Sequence, residues 1–547
     1  MNLKTTLSVA SIPVLALLAY LVWLPRVYTG DDLQYAIVIE RAVAGATFYH
    51  PAGGQLLGTA DTPAGSSGNV PEPNVRYLLE YPTSISVARV WGLFGWDDGV
   101  IMPILFLRAM AGSLGILSFF LAISSLVGGL WIPALASLGL ATSTAYWTYS
   151  THLDQSINMV ALACTAFYLL VKILKGHSKP RDYLLLVLTL AAATFFNLTA
   201  MLLALAAGLT LFALVEEPNL KVRLQRLAAF WGAYGVLLLG GIVLALVVWG
   251  SPSTVLSAKY WNKASFAGHP EYSVSFANDA MRAVLGFAKS EVAYPGVPGS
   301  LQEHWDASDP GQRALLIVFY GIVLAGMSIP LALGLHRLRR GRPRGQGFLF
   351  PILVLALFSG FNIFWDPGYM KYWLVPLLAW WAIVALGLFH LETADRRTFK
   401  LALGGVALFV AFSFAVNLST VFVPSSNRQA QAWEGIALAL RATEPTSLFI
   451  SPGHPLDFYI AYFARRSVLS TGLVSYAYGG DENQARQVIQ RQLERERQVH
   501  GKVYVYGTEG LDEEELRAFV NLLGPVELVP AMRYGELTFA EALAPGR

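Results

Sequence analysis

The sequence is short of charged residues. Only 14% of its 547 residues are Asp, Glu, Lys or Arg, whereas a soluble domain carries about 25%. Hydrophobic residues make up 55% of the chain, and apolar runs long enough to cross a bilayer, about 20 residues each, recur along most of it. The composition therefore excludes an ordinary soluble protein and predicts a polytopic membrane protein.

The sequence also has a single cysteine, a small net charge and no evident internal repeat. Cys164 is the single cysteine and lies in an apolar run, which excludes a disulfide or a thiolate metal site within one chain. The formal net charge is +3, and the basic residues lie in short loops, so they indicate membrane topology rather than a nucleic-acid partner. No internal repeat of the kind that many transporters contain is evident in the sequence.

Length and hydropathy predict about eleven membrane spans. The stretch 182–215 is divided at FFNLT because this division puts the segments KGHSKPR and KVRLQR on the same side. The first span follows MNLKTTL and is longer than a signal-peptide core, so we expect an uncleaved anchor. The spans cover approximately residues 8–25, 100–123, 128–150, 156–174, 182–196, 198–214, 227–249, 313–335, 348–365, 372–390 and 401–422.

With these spans, the basic loops all fall on one side, which the positive-inside rule makes cytoplasmic. We expect a multi-pass protein of the cytoplasmic (inner) membrane with its N-terminus in the cytoplasm. Residues 1–423 form the predicted transmembrane domain, with outer loops at 26–99 and 250–312. The basic segments are Lys4, KILKGHSKPR, KVRLQR, HRLRRGRPRGQG and ADRRTFK.

Residues 424–547 are more polar and are predicted to form a soluble extracytoplasmic α/β domain. Strand-like segments such as SLFIS, SVLST and KVYVYG alternate with helix-like segments such as PLDFYIAYFARR and DEEELRAFVNLL. This alternation is typical of a partly parallel sheet. The fold class expected for the whole chain is mainly α, a transmembrane helical domain followed by this α/β domain.

Ionisable side chains are nearly absent from the spans and gather at their outer ends. Asp31 and Asp32 follow the first span, Glu80 lies in the first outer loop, and Asp154 follows the third span. Ionisable groups inside a bilayer usually mark substrate or ion pathways. Their positions here predict a site at the outer membrane boundary rather than at the midplane.

The acidic pair opens the segment DDLQYAIVIERAVAG, which reads as a helix that ends at Gly45. Its apolar residues recur three to four positions apart, a spacing that suits a helix lying along the membrane surface. On the simpler interpretation, Asp31 is only the N-cap of this helix. Neighbouring helical residues point about 100° apart, so Asp31 and Asp32 are expected to have different roles.

A first span followed at once by an acidic pair and an amphipathic outer loop resembles the GT-C superfamily of membrane glycosyltransferases. The resemblance is to the glycosyltransferase family 39-like branch, which contains protein O-mannosyltransferases and lipid A aminoarabinose transferases. The acidic loop THLDQS, the large outer loop before the late spans and the outer turn NIFWDPGYMKYWLVP fit the same plan. The likeness covers about the first 420 residues, and its motifs are short.

This resemblance implies transfer of a hexosyl or pentosyl group from a polyprenyl-phosphate carrier to a protein, lipid or glycan acceptor at the outer face. Such a reaction needs a carboxylate that takes the proton of the attacking hydroxyl and cations that stabilise the departing phosphate. By position, Asp31 is the expected base, and Asp32 orients the acceptor or binds a metal. Asp154 matches the second acidic position of the plan. A single displacement would invert the anomeric configuration.

Basic and aromatic residues near the outer boundary are the candidates for binding the phosphate. Lys371 lies beside Tyr369 at the start of a span, although a lysine in an aromatic belt often has only an interfacial role. Arg89 and Arg282 are weaker candidates, because both lie on segments that read as surface helices with solvated arginines.

His152 and Glu80 complete the set of candidate substrate-binding residues. His152 is two positions from Asp154, although an interfacial histidine is more often a hydrogen-bonded structural group than a functional one. Glu80 would be a second acidic wall of the cavity, or a solvated loop carboxylate. Two adjacent carboxylates are an incomplete ligand set for a divalent cation, so the metal and any cofactor stay open.

Three other functions fit the sequence. A transporter or flippase of lipid-linked sugars would have a similar number of spans, although transporters usually carry repeats and a polar site at mid-depth. An O-antigen ligase or polymerase would act at the same face. A catalytically silent relative would act as a scaffold through its C-terminal domain.

Overall fold

The computed structural model divides the chain into two compact units, each described separately. The larger unit comprises Met1–Pro25, Val75–Pro82 and Leu105–Ser425, and the smaller unit comprises Arg26–Asn74, Thr83–Ile104 and Ser426–Arg547. Parts of the predicted outer loop 26–99 thus belong to the same unit as the C-terminal tail. The structure describes residues 3–22, 24, 30–43, 56–57, 79–95, 99–154, 156–176, 179–214, 219–249, 276–294, 308–338, 348–365, 368–422, 428–472, 474, 483, 486–487, 489–490 and 502–543.

Helices account for most of the larger unit. Two helices lie partly in each unit: α3 (Glu80–Gly92) and α4 (Ile101–Val127). The others are α1 (Leu3–Val22), α5 (Trp131–Thr142), α6 (Thr144–Thr151), α7 (Ser156–Leu174), α8 (Pro180–Phe196), α9 (Met201–Leu214), α10 (Leu220–Trp249), α11 (Phe276–Glu291), α12 (Pro310–Leu338), α13 (Leu349–Trp365), α14 (Leu374–Ala394) and α15 (Arg396–Asn417).

Every predicted span coincides with a helical segment, which confirms the mainly helical prediction. Six helical segments among the described residues are long and apolar enough to cross a membrane. Four further apolar helical segments are shorter, so the total of about eleven spans stays a prediction. The six are Ile101–Val127, Ser156–Leu174, Leu220–Leu244, Pro310–Ile329, Met370–Thr393 and Arg396–Val421.

The third predicted span is two helices, because Ser143 is extended (φ −64°, ψ 145°) between α5 and α6. A break of this kind frees backbone polar groups that must find partners inside the protein. Asn417 is such a partner, because its side-chain amide nitrogen donates to the carbonyl of Thr142 at 2.9 Å. Its amide oxygen accepts from the Thr144 hydroxyl at 2.8 Å. The break sets the direction of α6, which leads directly to the loop with Asp154.

Helix α14 forms the centre of the larger unit. Its residues Trp380 and Trp381 are almost completely buried, and a helix that is apolar on all sides belongs in a core. Gly139 of α5 lies directly against Trp381, because a Cβ at Gly139 would approach the indole to 2.1 Å. The start of α14 is therefore fixed in place, and with it the turn that carries Lys371.

The smaller unit contains a six-stranded sheet, which confirms the predicted α/β tail. Four strands are parallel, in the order β1 (Leu56–Leu57), β3 (Ser467–Ser470), β2 (Leu448–Ser451) and β4 (Val503–Val505). The antiparallel pair β6 (Leu537–Leu543) and β5 (Glu527–Tyr534) follows β4. All four residues of β2 are buried, as expected for a central parallel strand.

The helices of the smaller unit are α2 (Gly30–Val43), α16 (Arg428–Ala439), α17 (Leu456–Tyr459) and α18 (Glu513–Leu523). The helix predicted for DDLQYAIVIERAVAG is therefore present as α2, and its location along the membrane surface stays a prediction. Asp512 caps α18 by accepting from two backbone amides of its first turn. Strand β6 was not predicted, although Gly535 (φ 63°) turns the chain between β5 and β6, as a tight hairpin requires.

Candidate functional site

Asp154 lies in the short loop between α6 and α7 and caps the start of α7. Its Oδ1 accepts from the backbone amide of Ser156 at 2.7 Å and from the Ser156 hydroxyl at 2.6 Å. Its Oδ2 accepts from the Lys371 ammonium at 2.7 Å. The two side chains are 20% and 10% exposed, respectively. The structure thus brings together two of the predicted site residues that are 217 positions apart in the chain.

The Asp154 carboxylate is held in its charged form. Burial by itself raises the pKa of Asp154, but the attraction of Lys371 and the hydrogen bonds from Lys371 and Ser156 lower it by more. The pKa of Asp154 is therefore below its ordinary value. At neutral pH the site contains a carboxylate and an ammonium group in direct contact and largely withdrawn from water.

A second ion pair fixes the backbone next to Asp154. Arg108 of α4 donates from Nε and Nη2 to the carbonyl of Leu153, at 3.3 and 3.2 Å. The Arg108 guanidinium also pairs with Glu80, and Asn158 of α7 donates to Glu80 at 3.1 Å. Arg108 and Glu80 are 0% and 1% exposed. A buried pair of this kind holds its surroundings rigidly, because removing one partner leaves a buried charge.

Arg108 was missed in the sequence, although a signal for it exists. It is an arginine within the predicted span 100–123, and an ionisable residue inside an apolar span is a functional candidate by default. Glu80, its partner, was predicted as a wall of the substrate cavity or as a solvated loop carboxylate, and its 1% exposure shows that the second interpretation is wrong. The structure instead places the Glu80 carboxylate in contact with Arg108 and Asn158.

The turn that carries Lys371 is held by α13. Asn362 donates from its side chain to the carbonyl of Tyr372 at 2.8 Å, and Trp365 Nε1 donates to the Tyr372 hydroxyl at 3.0 Å. The Tyr369 ring lies 5.7 Å from the Tyr372 ring, centroid to centroid. Tyr369 is 44% exposed, so this part of the turn faces outward beside a fixed Lys371.

Arg282 of α11 provides a second cation at the same turn. A Cβ placed on Gly368 would lie 3.8 Å from Nη2 of Arg282, so the guanidinium lies over the backbone of the turn. Arg282 is partly buried rather than fully solvated. The turn therefore has two neighbouring cationic groups, Lys371 and Arg282, together with the exposed ring of Tyr369.

The other predicted residues lie around this site or outside the described side chains. His152 ends α6 and is partly buried, whereas Arg89 is exposed on α3 in the smaller unit. The backbone of Asp31 and Asp32 lies in the first turn of α2, but their side chains are outside the described part of the structure. Their catalytic roles stay predictions.

The described part of the chain contains no group of three or more His, Cys, Asp or Glu residues arranged to hold a metal ion. The side chains of Asp31 and Asp32 lie outside this described part.

The fold can be compared with solved structures. No protein-family model and no curated protein matches the chain in sequence. The structure is similar to that of ArnT from Cupriavidus metallidurans bound to undecaprenyl phosphate, with a TM-score of 0.57 and 13% identity, covering 99% of this chain and 98% of ArnT. It is also similar to the arabinofuranosyltransferase AftD from Mycobacteria, with a TM-score of 0.51 and 15% identity, covering 98% of this chain and 40% of AftD.

These likenesses extend over almost all of the chain, including the C-terminal sheet. They agree with the apolar helices and confirm the multi-pass membrane architecture expected from composition. The chain has the fold of the GT-C membrane glycosyltransferases.

Proposed function

We propose that this protein transfers a sugar from a polyprenyl-phosphate-linked donor to an acceptor at the outer face of the cytoplasmic membrane. The observation that carries the proposal is the Asp154–Lys371 contact at a turn that also carries Tyr369 and is approached by the guanidinium of Arg282 from α11. This contact lies in a fold that is similar to that of ArnT, which was crystallised with undecaprenyl phosphate. A fixed cationic site is what a lipid phosphate needs.

In the proposed reaction, the acceptor hydroxyl oxygen attacks the anomeric carbon of the sugar. The bond from that carbon to the phosphate oxygen breaks, and its electron pair remains on the polyprenyl phosphate. Lys371 and Arg282 stabilise the negative charge that develops there, a role in which a single positioned donor often contributes 10²–10³-fold in rate. Asp31 takes the proton of the hydroxyl, as its position in the sequence suggests.

Asp154 acts in this proposal as a positioning residue. Its carboxylate holds the Lys371 ammonium at 2.7 Å, and the Glu80–Arg108 pair holds the backbone immediately before it. Asp154 thus fixes the positive charge of Lys371 at the turn, where we propose that it meets the phosphate. The placement of Glu80 favours the same supporting role for Glu80 rather than direct contact with substrate.

The proposal is tested by incubating the purified protein with a panel of radiolabelled polyprenyl-phosphate sugars and an extract of the source cell envelope. Lys371→Gln is expected to reduce transfer by about 100-fold, and Asp31→Asn to abolish it in a protein that still binds donor. The matched control is Lys172→Gln, because Lys172 forms a similar 2.8 Å ion pair with Asp182 in the same unit.

Equal losses in Lys371→Gln and Lys172→Gln would show a general effect of removing an ion pair and would contradict the assignment of Lys371. Transfer by an unimpaired Asp31→Asn protein would keep the enzyme class and reject Asp31 as the base. Absence of transfer from every donor would favour the transporter or scaffold alternative.

A further inference from the structure

A cavity of about 570 Å³ lies between the ends of α8, α9 and α10. We propose that it binds an anionic glycerophospholipid of the surrounding bilayer, with the headgroup phosphate at its basic mouth and an acyl chain along its apolar wall. The cavity lies entirely within the larger unit. It is separate from the proposed transfer site and has a different chemical character.

The cavity and the transfer site lie at opposite ends of α7. Asp154 is two positions before Ser156, where α7 begins, and Pro180, where α8 begins, is six positions after Leu174, where α7 ends. Helix α7 has 19 residues, a length of about 28 Å, which is close to the thickness of the hydrocarbon core. The cavity is therefore at the side that the positive-inside rule makes cytoplasmic.

Three cationic residues line the mouth of the cavity: Lys179, Arg223 and Arg226. Arg223 is held in place by its neighbours, since its Nη2 donates to the carbonyl of Ala213 at 2.8 Å. Its guanidinium carbon also lies 5.5 Å from the centroid of the Phe212 ring, a favourable cation–π distance. The positive charge at the mouth is thus partly pre-organised.

One donor at this mouth lacks a partner among the described residues. Nε of Arg223 is buried and makes no hydrogen bond within the described part of the chain. Leaving a buried donor unsatisfied is costly, more so when the group is charged. An oxygen of a bound phosphate would satisfy this donor, while the rest of the guanidinium keeps its present contacts.

The wall of the cavity is apolar and suits a hydrocarbon chain. Leu184 and Val187 of α8, Leu211 of α9 and Phe230 of α10 line it, and Leu184 is 58% exposed. A free phosphate ion would use only the basic mouth, whereas a phospholipid would use both parts. Basic pockets between transmembrane helices at the cytoplasmic side bind anionic headgroups in this way.

The test uses the full-length protein in detergent micelles with added dioleoylphosphatidylglycerol or dioleoylphosphatidylcholine, and native mass spectrometry counts the retained lipid. The double variant Arg223→Gln/Arg226→Gln is compared with Arg181→Gln/Lys221→Gln. The control removes the same amount of charge from the starts of α8 and α10, but its residues do not line the cavity. We expect wild-type protein to prefer phosphatidylglycerol, and the cavity variant to bind it about tenfold more weakly.

Arg226 is exposed, so the single variant Arg226→Gln tests the same site without disturbing the packing of Arg223, and it should weaken retention by a smaller factor. Equal retention of the two lipids by wild-type protein would overturn the proposal, as would equal losses in the two double variants. Displacement of phosphatidylglycerol by equimolar undecaprenyl phosphate would also overturn it, because the cavity would then belong to the carrier lipid.

Discussion

Asp154 in the larger unit and Asp457 in the smaller unit are both largely withdrawn from water, but they have different partners. Asp154 contacts the ammonium of Lys371. Asp457 accepts from the Ser451 hydroxyl at 2.7 and 2.8 Å, from the Tyr506 hydroxyl, and from the backbone amide of His454 at 3.3 Å. One carboxyl group has a cation beside it, and the other is surrounded by neutral donors.

The pKa values shift in opposite directions as a result. Burial raises the pKa of Asp457, and its hydrogen bonds do not compensate. Burial also acts on Asp154, but the contact with Lys371 outweighs it and the pKa falls. The hydrogen bonds of Asp457 thus link the end of β2 to the residue that follows β4. The contact with Lys371 instead keeps Asp154 charged. Asp154 belongs to the proposed transfer site, and Asp457 has a structural role.

The Glu80–Arg108 pair is the extreme case of a carboxylate paired with a cation, because both side chains are almost fully buried. Arg108→Leu leaves the Glu80 charge buried without its cation, and we expect a loss of about 3–5 kcal/mol in the free energy of unfolding. The double variant Glu80→Gln/Arg108→Leu should recover part of it. Chemical denaturation in detergent measures both, and a double variant no more stable than the single one would contradict the account.

The next largest effect separates the two aspartates by activity. Asp154→Asn removes the charge that fixes Lys371 but leaves Lys371 itself in place, so we expect sugar transfer to fall by about 30-fold, less than the 10²–10³-fold typical of losing a positioned donor outright. Asp457→Asn keeps most of its hydrogen bonds and should change transfer by less than about threefold. Initial rates with saturating donor measure both. Similar losses in the two variants would remove the functional distinction between them.

The contributions of Asp154 and Asp457 to the free energy of unfolding should depend on pH with opposite signs. Each unit of pKa shift corresponds to about 1.4 kcal/mol. Asp154 has a lowered pKa, so its contribution to stability is present above its ordinary value and is lost as the pH falls through the folded-state pKa. Asp457 has a raised pKa, so its contribution is present below its ordinary value and is lost as the pH rises through the folded-state pKa.

Hydrogen exchange of peptides around each residue, compared between wild type and the Asn variant across pH, isolates these contributions. The stability that wild type has in excess of Asp154→Asn should grow as the pH rises. The stability of Asp457→Asn relative to wild type should increase over the same pH range. Parallel trends in the two pairs would refute the opposite pKa directions.

The smallest effect concerns an ion pair that stays in water. Arg465 contacts Glu40 at 2.6 Å in the smaller unit, but the two side chains are 49% and 29% exposed. Exposed pairs contribute little, so Arg465→Gln should cost less than about 1 kcal/mol in the free energy of unfolding. Thermal unfolding of the full chain is sufficient to measure it. A loss as large as that of Arg108→Leu would show that burial does not decide the strength of these pairs.

Local patterns in the sequence predicted most of the architecture. Apolar runs predicted the helices, including α7 and α14, and alternating segments predicted β2, β3 and β4. The break at Ser143 was not predicted, because a hydropathy window does not distinguish one helix from two in a continuous apolar run. Strand β6 was missed because its apolar alternation is weak, and its pairing with β5 decides its structure.

The candidate site was predicted only in part, for a physical reason. The sequence indicated Asp154 and Lys371 separately, by their positions at the ends of spans, but their contact depends on how α7 and α14 pack. Arg108 was hidden in an apolar run, and its link to Leu153 depends on where α4 lies relative to the loop between α6 and α7. Glu80 was expected to contact substrate or solvent, because its buried partner was not identified.

The most direct test is the affinity of the purified protein for undecaprenyl phosphate, measured for wild type, Lys371→Gln and Lys172→Gln. We expect binding about tenfold weaker in Lys371→Gln, because a positive charge facing the phosphate is lost, and unchanged binding in Lys172→Gln. Wild-type affinity in Lys371→Gln would contradict the claim that the turn beside Asp154 holds the phosphate of the donor.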